Sequence, residues 1–193
     1  MPQTLDWLAE TPSQTAGPYV HIGCTPRAIG IDSIYPDTLA AEAFSKDAPG
    51  ERITVTGRII DGTGTPLKDV MVESWQAGAD GTFGPGAEGH ARFIADLQNG
   101  VWTLETIKPG VVNTRDGRPQ APHIDLWIVS RGINLGLATR IYFAGDALEA
   151  DPLLGRIEQP ERRETLVAKA IGPNAFSHDI HLQGERETVF LDL

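Results

Sequence analysis

A histidine and an acid separated by one residue, His123 and Asp125, form the most suggestive pair of side chains in the sequence. Side chains at positions i and i+2 of a β-strand point to the same face, so the two groups would lie side by side on a strand. An imidazole next to a carboxylate can bind a transition metal or move a proton, but two ligands do not complete a metal centre. On these residues alone, a hydrogen-bonded structural histidine is favoured over a ligand.

The other residues that often carry chemistry are not arranged for it. His178 and His181 would lie on opposite faces of a strand, which disfavours chelation by this pair. Neither His21 nor His90 has a companion at ligand spacing, and Cys24 is the sole cysteine, so it forms no disulfide within the chain. Because GxSxG, paired CxxC and HExxH motifs are all absent from the sequence, hydrolase and zinc chemistry lose their simplest support.

The charge balance limits the partners of the protein. The 193 residues include 26 acidic and 16 basic side chains, which gives a net charge of -10 and a surface that repels nucleic acid. An anionic substrate would therefore need an arginine or lysine placed close to it. There is no signal-like N-terminus and no apolar stretch of roughly 20 residues, so we expect a cytoplasmic protein without membrane spans.

Short alternating segments separated by turns predict the fold. Apolar residues alternate with polar ones through Ile53, Val55 and Ile59, which is typical of a half-buried strand. A short helix over residues 160–169, in the C-terminal half, is indicated by an early proline, early acids and a late lysine. The pattern predicts an all-β protein built as an antiparallel β-sandwich. Its strands are expected at residues 53–59, 70–75, 101–107, 123–129, 139–143, 178–183 and 187–191.

The first fifty residues have a different character. Residues 1–50 are rich in proline, glycine and threonine, which predicts an irregular N-terminal arm belonging to the same unit as the sandwich domain at residues 51–193. Tyr19, Val20 and Ile22 give this arm apolar surface to bury, so we expect it to pack at an interface.

Three segments taken together resemble the intradiol ring-cleaving dioxygenase family. They are the stretch from residues 57–62 through 72–77, residues 106–110 and residues 121–124. Each segment alone is weakly specific, whereas their order and spacing are strongly so. The resemblance, especially to the iron-free chains of the family, continues at residues 11–23, 130–134 and 183–190, and so covers nearly the whole sequence.

The resemblance implies a metal site that this chain has lost. In the family, ferric iron is held by two tyrosinates and two histidines, and the matching positions here are Phe83, Val112, His123 and Asp125. Phenylalanine and valine have no lone pair for a metal, so of the four ligands only His123 remains. These positions are therefore expected to be vestigial, and the chain to contain no metal ligand set and no catalytic residue of its own.

The resemblance also implies a partner. The ferric ion would be bound by a β chain of the same fold, and several αβ pairs would form a hetero-oligomer that cleaves protocatechuate with O2 to 3-carboxy-cis,cis-muconate. Thr15, Gly17, Pro18 and Tyr19 would line the substrate pocket, and Arg131 would add a positive charge. An interface salt bridge for Arg131, and packing of Tyr19 against the partner, are alternative roles.

Two other functions are compatible with the sequence. The turn at residues 61–67 also fits a noncatalytic, transthyretin-like β-sandwich that binds or scaffolds other molecules. A self-sufficient dioxygenase would need an unusual ligand set that includes His123 and Asp125 together with His90 or His178.

Overall fold

The computed structural model describes residues 14–86 and 88–192, and strands dominate them. The strands are β1 (Arg52–Ile60), β2 (Met71–Gln76), β3 (His90–Ile94), β4 (Val101–Ile107), β5 (Val112–Asn113), β6 (Pro119–Gln120), β7 (His123–Val129), β8 (Leu137–Phe143), β9 (Val167–Gly172), β10 (Ala175–Ser177) and β11 (Ile180–His181). The helices are α1 (Pro18–Cys24) and α2 (Pro160–Glu164), with short 3-10 turns at Pro26–Ile29, Leu148–Ala150 and Leu154–Arg156. The predicted all-β class is confirmed.

Nine of the strands form one mixed sheet that curls around the core. Its order is β11-β1-β10-β9-β8-β7-β2-β3, and β4 pairs with β1, while β5 and β6 form a separate two-stranded ladder. The pairings of β1 with β10, β1 with β11 and β8 with β9 are parallel. The predicted antiparallel sandwich is therefore not confirmed. Residue alternation shows which face of a strand is buried, but it carries no information about the direction of the neighbouring strand.

The core lies inside this curled sheet and is filled by the inward-facing residues of its strands. Trp102, among the largest fully buried side chains, lies opposite Gly57 in the pairing of β4 with β1. A Cβ atom at Gly57 would collide with the backbone oxygen of His178. Glycine is thus needed in the middle of β1, because the neighbouring backbone at His178 approaches the strand closely there.

Three predicted elements differ from the structure in extent. The helix expected over residues 160–169 ends at Glu164, and the residues after it continue into β9, where Val167 pairs with Tyr142 of β8. The strand expected at residues 178–183 shortens to β11, and the one at residues 187–191 is reduced to a single bridge between Leu191 and Ala138. At the end of the predicted helix, pairing of β9 with β8 has overridden the local helix signals, which is common in short segments.

The N-terminal arm is mostly irregular, as expected, although it also contains α1. Pro18 occupies the first turn of this helix, where a missing N–H costs nothing. Ala43 and Phe44 are buried in the same core as the strands. Residues 1–13 of the arm lie outside the described residues, and the division at residue 50 stays a prediction. Within the described ranges, no helix is long and apolar enough to cross a bilayer.

Candidate functional site

Four polar side chains meet on the outer face of the sheet, across strands β7 and β8. The register places His123 opposite Tyr142 and Asp125 opposite Arg140. The intervening residue Ile124 points the other way and is fully buried in the core. Alternation along both strands therefore collects these four side chains, called the outer-face quartet below, on one surface.

His123 is buried and held by the backbone. Its Nδ1 donates a hydrogen bond to the carbonyl oxygen of Ala121 at 2.7 Å, which leaves Nε2 3.8 Å from Oδ2 of Asp125. Burial lowers the pKa of His123, and the nearby positive charge of Arg140 lowers it further. The imidazole is thus neutral near pH 7, and its Nε2 lies beside the carboxylate of Asp125.

Asp125 and Arg140 form a close ion pair. Nε of Arg140 lies 2.6 Å from Oδ1 of Asp125, and its Nη1 is 3.4 Å from the phenolic oxygen of Tyr142. Only 12% of the Arg140 side chain is exposed. Burial would by itself lower the pKa of Arg140, but Asp125 and Tyr142 together outweigh burial and the pKa is raised. The guanidinium therefore remains charged.

Tyr142 connects the quartet to a buried carboxylate. Its hydroxyl donates to Oδ1 of Asp151 at 3.3 Å. Asp151 also accepts backbone N–H groups from Ala121, Leu153 and Leu154 at 2.8 to 3.0 Å. Burial raises the pKa of Tyr142 above its ordinary value, so this side chain is a protonated phenol and not a tyrosinate.

Phe83 and Val112, the positions matched to the family's tyrosinates, offer no donor atoms. The ring of Phe83 stacks on Trp75 with a centroid separation of 6.1 Å, and Trp75 is the cross-strand neighbour of Asp125. Phe83 thus lies on the same side of the sheet as the quartet. Val112 belongs to the separate two-stranded ladder, where it pairs with Gln120.

The residues present do not fit a ferric ion. In the part of the chain that the structure describes, no cluster of three or more histidine, cysteine, aspartate or glutamate side chains could hold a metal. Of the two extra candidate ligands, His90 lies 3.9 Å from Glu73, and His178 is attached to β1 through its backbone N–H and Thr56. Burial lowers the pKa of His178 to about 4. The unusual ligand set considered from the sequence is therefore not assembled.

Two of the predicted pocket residues come together near the end of β7. The backbone N–H of Gly132 donates to Oγ1 of Thr15 at 2.7 Å, which places the arm next to Arg131. The guanidinium of Arg131 pairs with the carboxylate of Asp69, yet 73% of the side chain remains exposed. Arg131 therefore makes a salt bridge within this chain and still presents charge to its surroundings.

The remaining pocket candidates lie at the start of α1. Gly17 precedes the helix in an extended conformation, and its carbonyl accepts the N–H of Val20 at 3.0 Å. Pro18 begins the helix, and Tyr19 is 85% exposed. The arm thus projects an aromatic side chain away from the chain's own core.

Sequence reasoning missed three members of the polar network. Arg140 and Tyr142 fall at i and i+2 of a predicted strand, the same spacing that drew attention to His123 and Asp125. A search for alternating polar residues on both strands would have found them. Asp151 lies in an irregular connection, where no periodicity indicates that it is buried.

Comparisons with known proteins agree on one family of enzymes. A family model described as "Dioxygenase" matches residues 33–184, and the chain belongs to the intradiol ring-cleavage dioxygenase family. The protein is 44% identical to the protocatechuate 3,4-dioxygenase alpha chain of Pseudomonas putida, over 97% of this chain and 98% of that relative. It is 36% identical to the protocatechuate 3,4-dioxygenase beta chain of Burkholderia cepacia, over 54% of this chain and 50% of the relative.

A solved structure supports the fold. The dioxygenase domain of a dioxygenase and carbohydrate-binding protein fusion from Streptomyces sp. SirexAA-E superimposes with a TM-score of 0.57. It covers 94% of this chain and 100% of its own, at 23% identity. At that identity the likeness concerns the fold alone.

Proposed function

We propose that this chain is the iron-free α subunit of a protocatechuate 3,4-dioxygenase, whose ferric ion is bound by a partner β chain. The complex would cleave protocatechuate with O2 to 3-carboxy-cis,cis-muconate. Identity of 44% with an α chain of that name, along nearly the full length of both proteins, supports this function. The partial similarity to a β chain supports a partner of the same fold.

The observation that carries the proposal is the chemistry of the vestigial site. Phe83 and Val112 have no lone pair with which to ligate iron. Asp125 is paired with Arg140. A chain with these side chains needs another polypeptide to supply the metal, so its own contribution is to substrate binding and assembly.

We further propose that Thr15, Gly17, Pro18, Tyr19 and Arg131 line the substrate pocket at the junction with the partner. Protocatechuate carries a carboxylate, which the net charge of -10 would repel. The exposed guanidinium of Arg131 would offset that repulsion locally. Thr15 keeps the arm beside this arginine through its hydrogen bond to Gly132.

The surface also suits association with a partner. Tyr19 and Leu135 are 85% and 80% exposed, and Trp127 on the outer face of β7 is 45% exposed. Large apolar and aromatic side chains are enriched in the buried centres of protein interfaces.

In this proposal the arm at residues 1–50 and the domain at residues 51–193 act as one unit. The single Cys24 suits a reducing compartment, as in the cytoplasm.

Expression with and without the β-type partner tests this function. The chain and the partner should copurify, contain one iron per αβ pair and consume oxygen when protocatechuate is added. The chain expressed alone should contain no stoichiometric iron and consume no oxygen. Iron-dependent ring cleavage by the lone chain would refute the proposal. Failure to associate with any iron-binding dioxygenase chain would favour the scaffold alternative.

A further inference from the structure

The quartet contains a positive charge of its own, next to His123 and Asp125, the two members that the family resemblance matches to metal ligands. Arg140 lies directly across the strand pair from Asp125, and 12% of its side chain is exposed. A guanidinium cannot release its proton near neutral pH, so this charge is permanent. Any metal ion that bound to His123 or Asp125 would lie close to this guanidinium and be repelled by it.

The polar atoms around this charge are already engaged. Oδ1 of Asp125 accepts Nε of Arg140 at 2.6 Å, and the phenolic oxygen of Tyr142 lies between Arg140 and Asp151, at 3.4 and 3.3 Å. Asp151 is fixed in turn by three backbone N–H groups. The charge of Asp125 is therefore balanced by Arg140, and hydrogen bonds hold the side chains from β7 and β8 in place.

We infer that Arg140 is the resident cation of the outer-face quartet and that it excludes metal ions independently of the missing tyrosines. The absent ligands at Phe83 and Val112 are one barrier to metal binding, and the guanidinium beside Asp125 is a second. This inference goes beyond the proposed function, because it states that restoring a ligand would not restore binding. It depends on no partner chain.

The test restores one histidine with and without the arginine. D125H recreates the His-x-His pair, and D125H/R140M removes the charge from the same background. D125H/R140K is the matched control, because it keeps a positive charge at this position. D125H/R140Q is a second neutral variant in case the methionine chain does not fold. The full chain is titrated with Co²⁺, whose visible ligand-field absorption reports coordination directly, and circular dichroism verifies the fold.

Removing the charge should produce binding that restoring the ligand alone does not. D125H and D125H/R140K should bind Co²⁺ no better than the wild-type chain. D125H/R140M and D125H/R140Q should bind at least about tenfold tighter than D125H, because a close like charge is gone. The inference is overturned if D125H binds as tightly as the neutral double variants, if neither double variant improves on D125H, or if D125H/R140K binds as well as D125H/R140M.

Discussion

Replacing Thr15 by valine removes the hydrogen bond that attaches the N-terminal arm to the loop carrying Arg131. Valine keeps the shape of threonine but offers no acceptor to the N–H of Gly132, now 2.7 Å from Oγ1. The bond is exposed to solvent, so water can take over the freed donor and no buried polar group is created. The cost is then the net value of one hydrogen bond, about 0.5 to 1.5 kcal/mol.

In the proposed αβ complex this loss should appear in substrate binding. A change of that size corresponds to a rise of about 2- to 10-fold in KM for protocatechuate. The turnover number should change less than about twofold, since the chemistry takes place on the partner. Steady-state oxygen uptake measures both constants, and Thr15→Ser, which keeps the hydroxyl, should match the wild type. Equal KM values for the valine and serine variants, or a fall in kcat alone, would refute the role given to the arm.

Two further predictions concern stability. Asp151→Ala leaves the N–H groups of Ala121 and Leu154 without an acceptor in a buried region, so equilibrium urea unfolding should show a loss of about 2 to 5 kcal/mol. A loss below about 1 kcal/mol would mean that the network is not fixed by this carboxylate. His178 has a folded pKa of about 4, lowered by burial, against 6.5 for the free side chain. As the pH falls, the unfolded chain therefore binds a proton at His178 before the folded chain does. The contribution of neutral His178 to the free energy of unfolding is complete above pH 6.5 and is lost as the pH falls to about 4. In His178→Gln, the free energy of unfolding should fall by roughly 3 kcal/mol less between pH 6.5 and pH 4 than in the wild type. An unchanged pH dependence would show that His178 is not buried as a neutral group.

The sequence predicts strands well where alternation is strong and uninterrupted. The expected segments at residues 101–107 and 123–129 coincide with β4 and β7. Between β8 and β9, however, more than twenty residues form short turns and α2, and the chain returns parallel to β8. A long connection permits either direction, and the local pattern does not distinguish them. The mixed sheet could not be deduced for this reason.

The site was predictable along one strand but not across two. The i, i+2 spacing correctly placed His123 and Asp125 together, with Nε2 and Oδ2 3.8 Å apart. Which residue faces Asp125 depends on the register between β7 and β8, and that register is a property of the folded sheet. The pairing of Arg140 with Asp125, which decides the electrostatics of the quartet, therefore could not be predicted from either strand alone.

In the proposed iron-free α subunit, the carboxylate of Asp125 needs a positive charge other than a metal ion close to it. A carboxylate at the position of Asp125, three-quarters shielded from solvent and without a metal next to it, would be costly unless a positive charge were close by. Arg140 supplies that charge from the adjacent strand, where Tyr142 and Asp151 hold its environment fixed. Removing either charged partner alone would leave the other buried and unpaired, which is more destabilising than removing both. Asp125 and Arg140 therefore have to be considered together, because the carboxylate on β7 and the guanidinium on β8 compensate each other's charge.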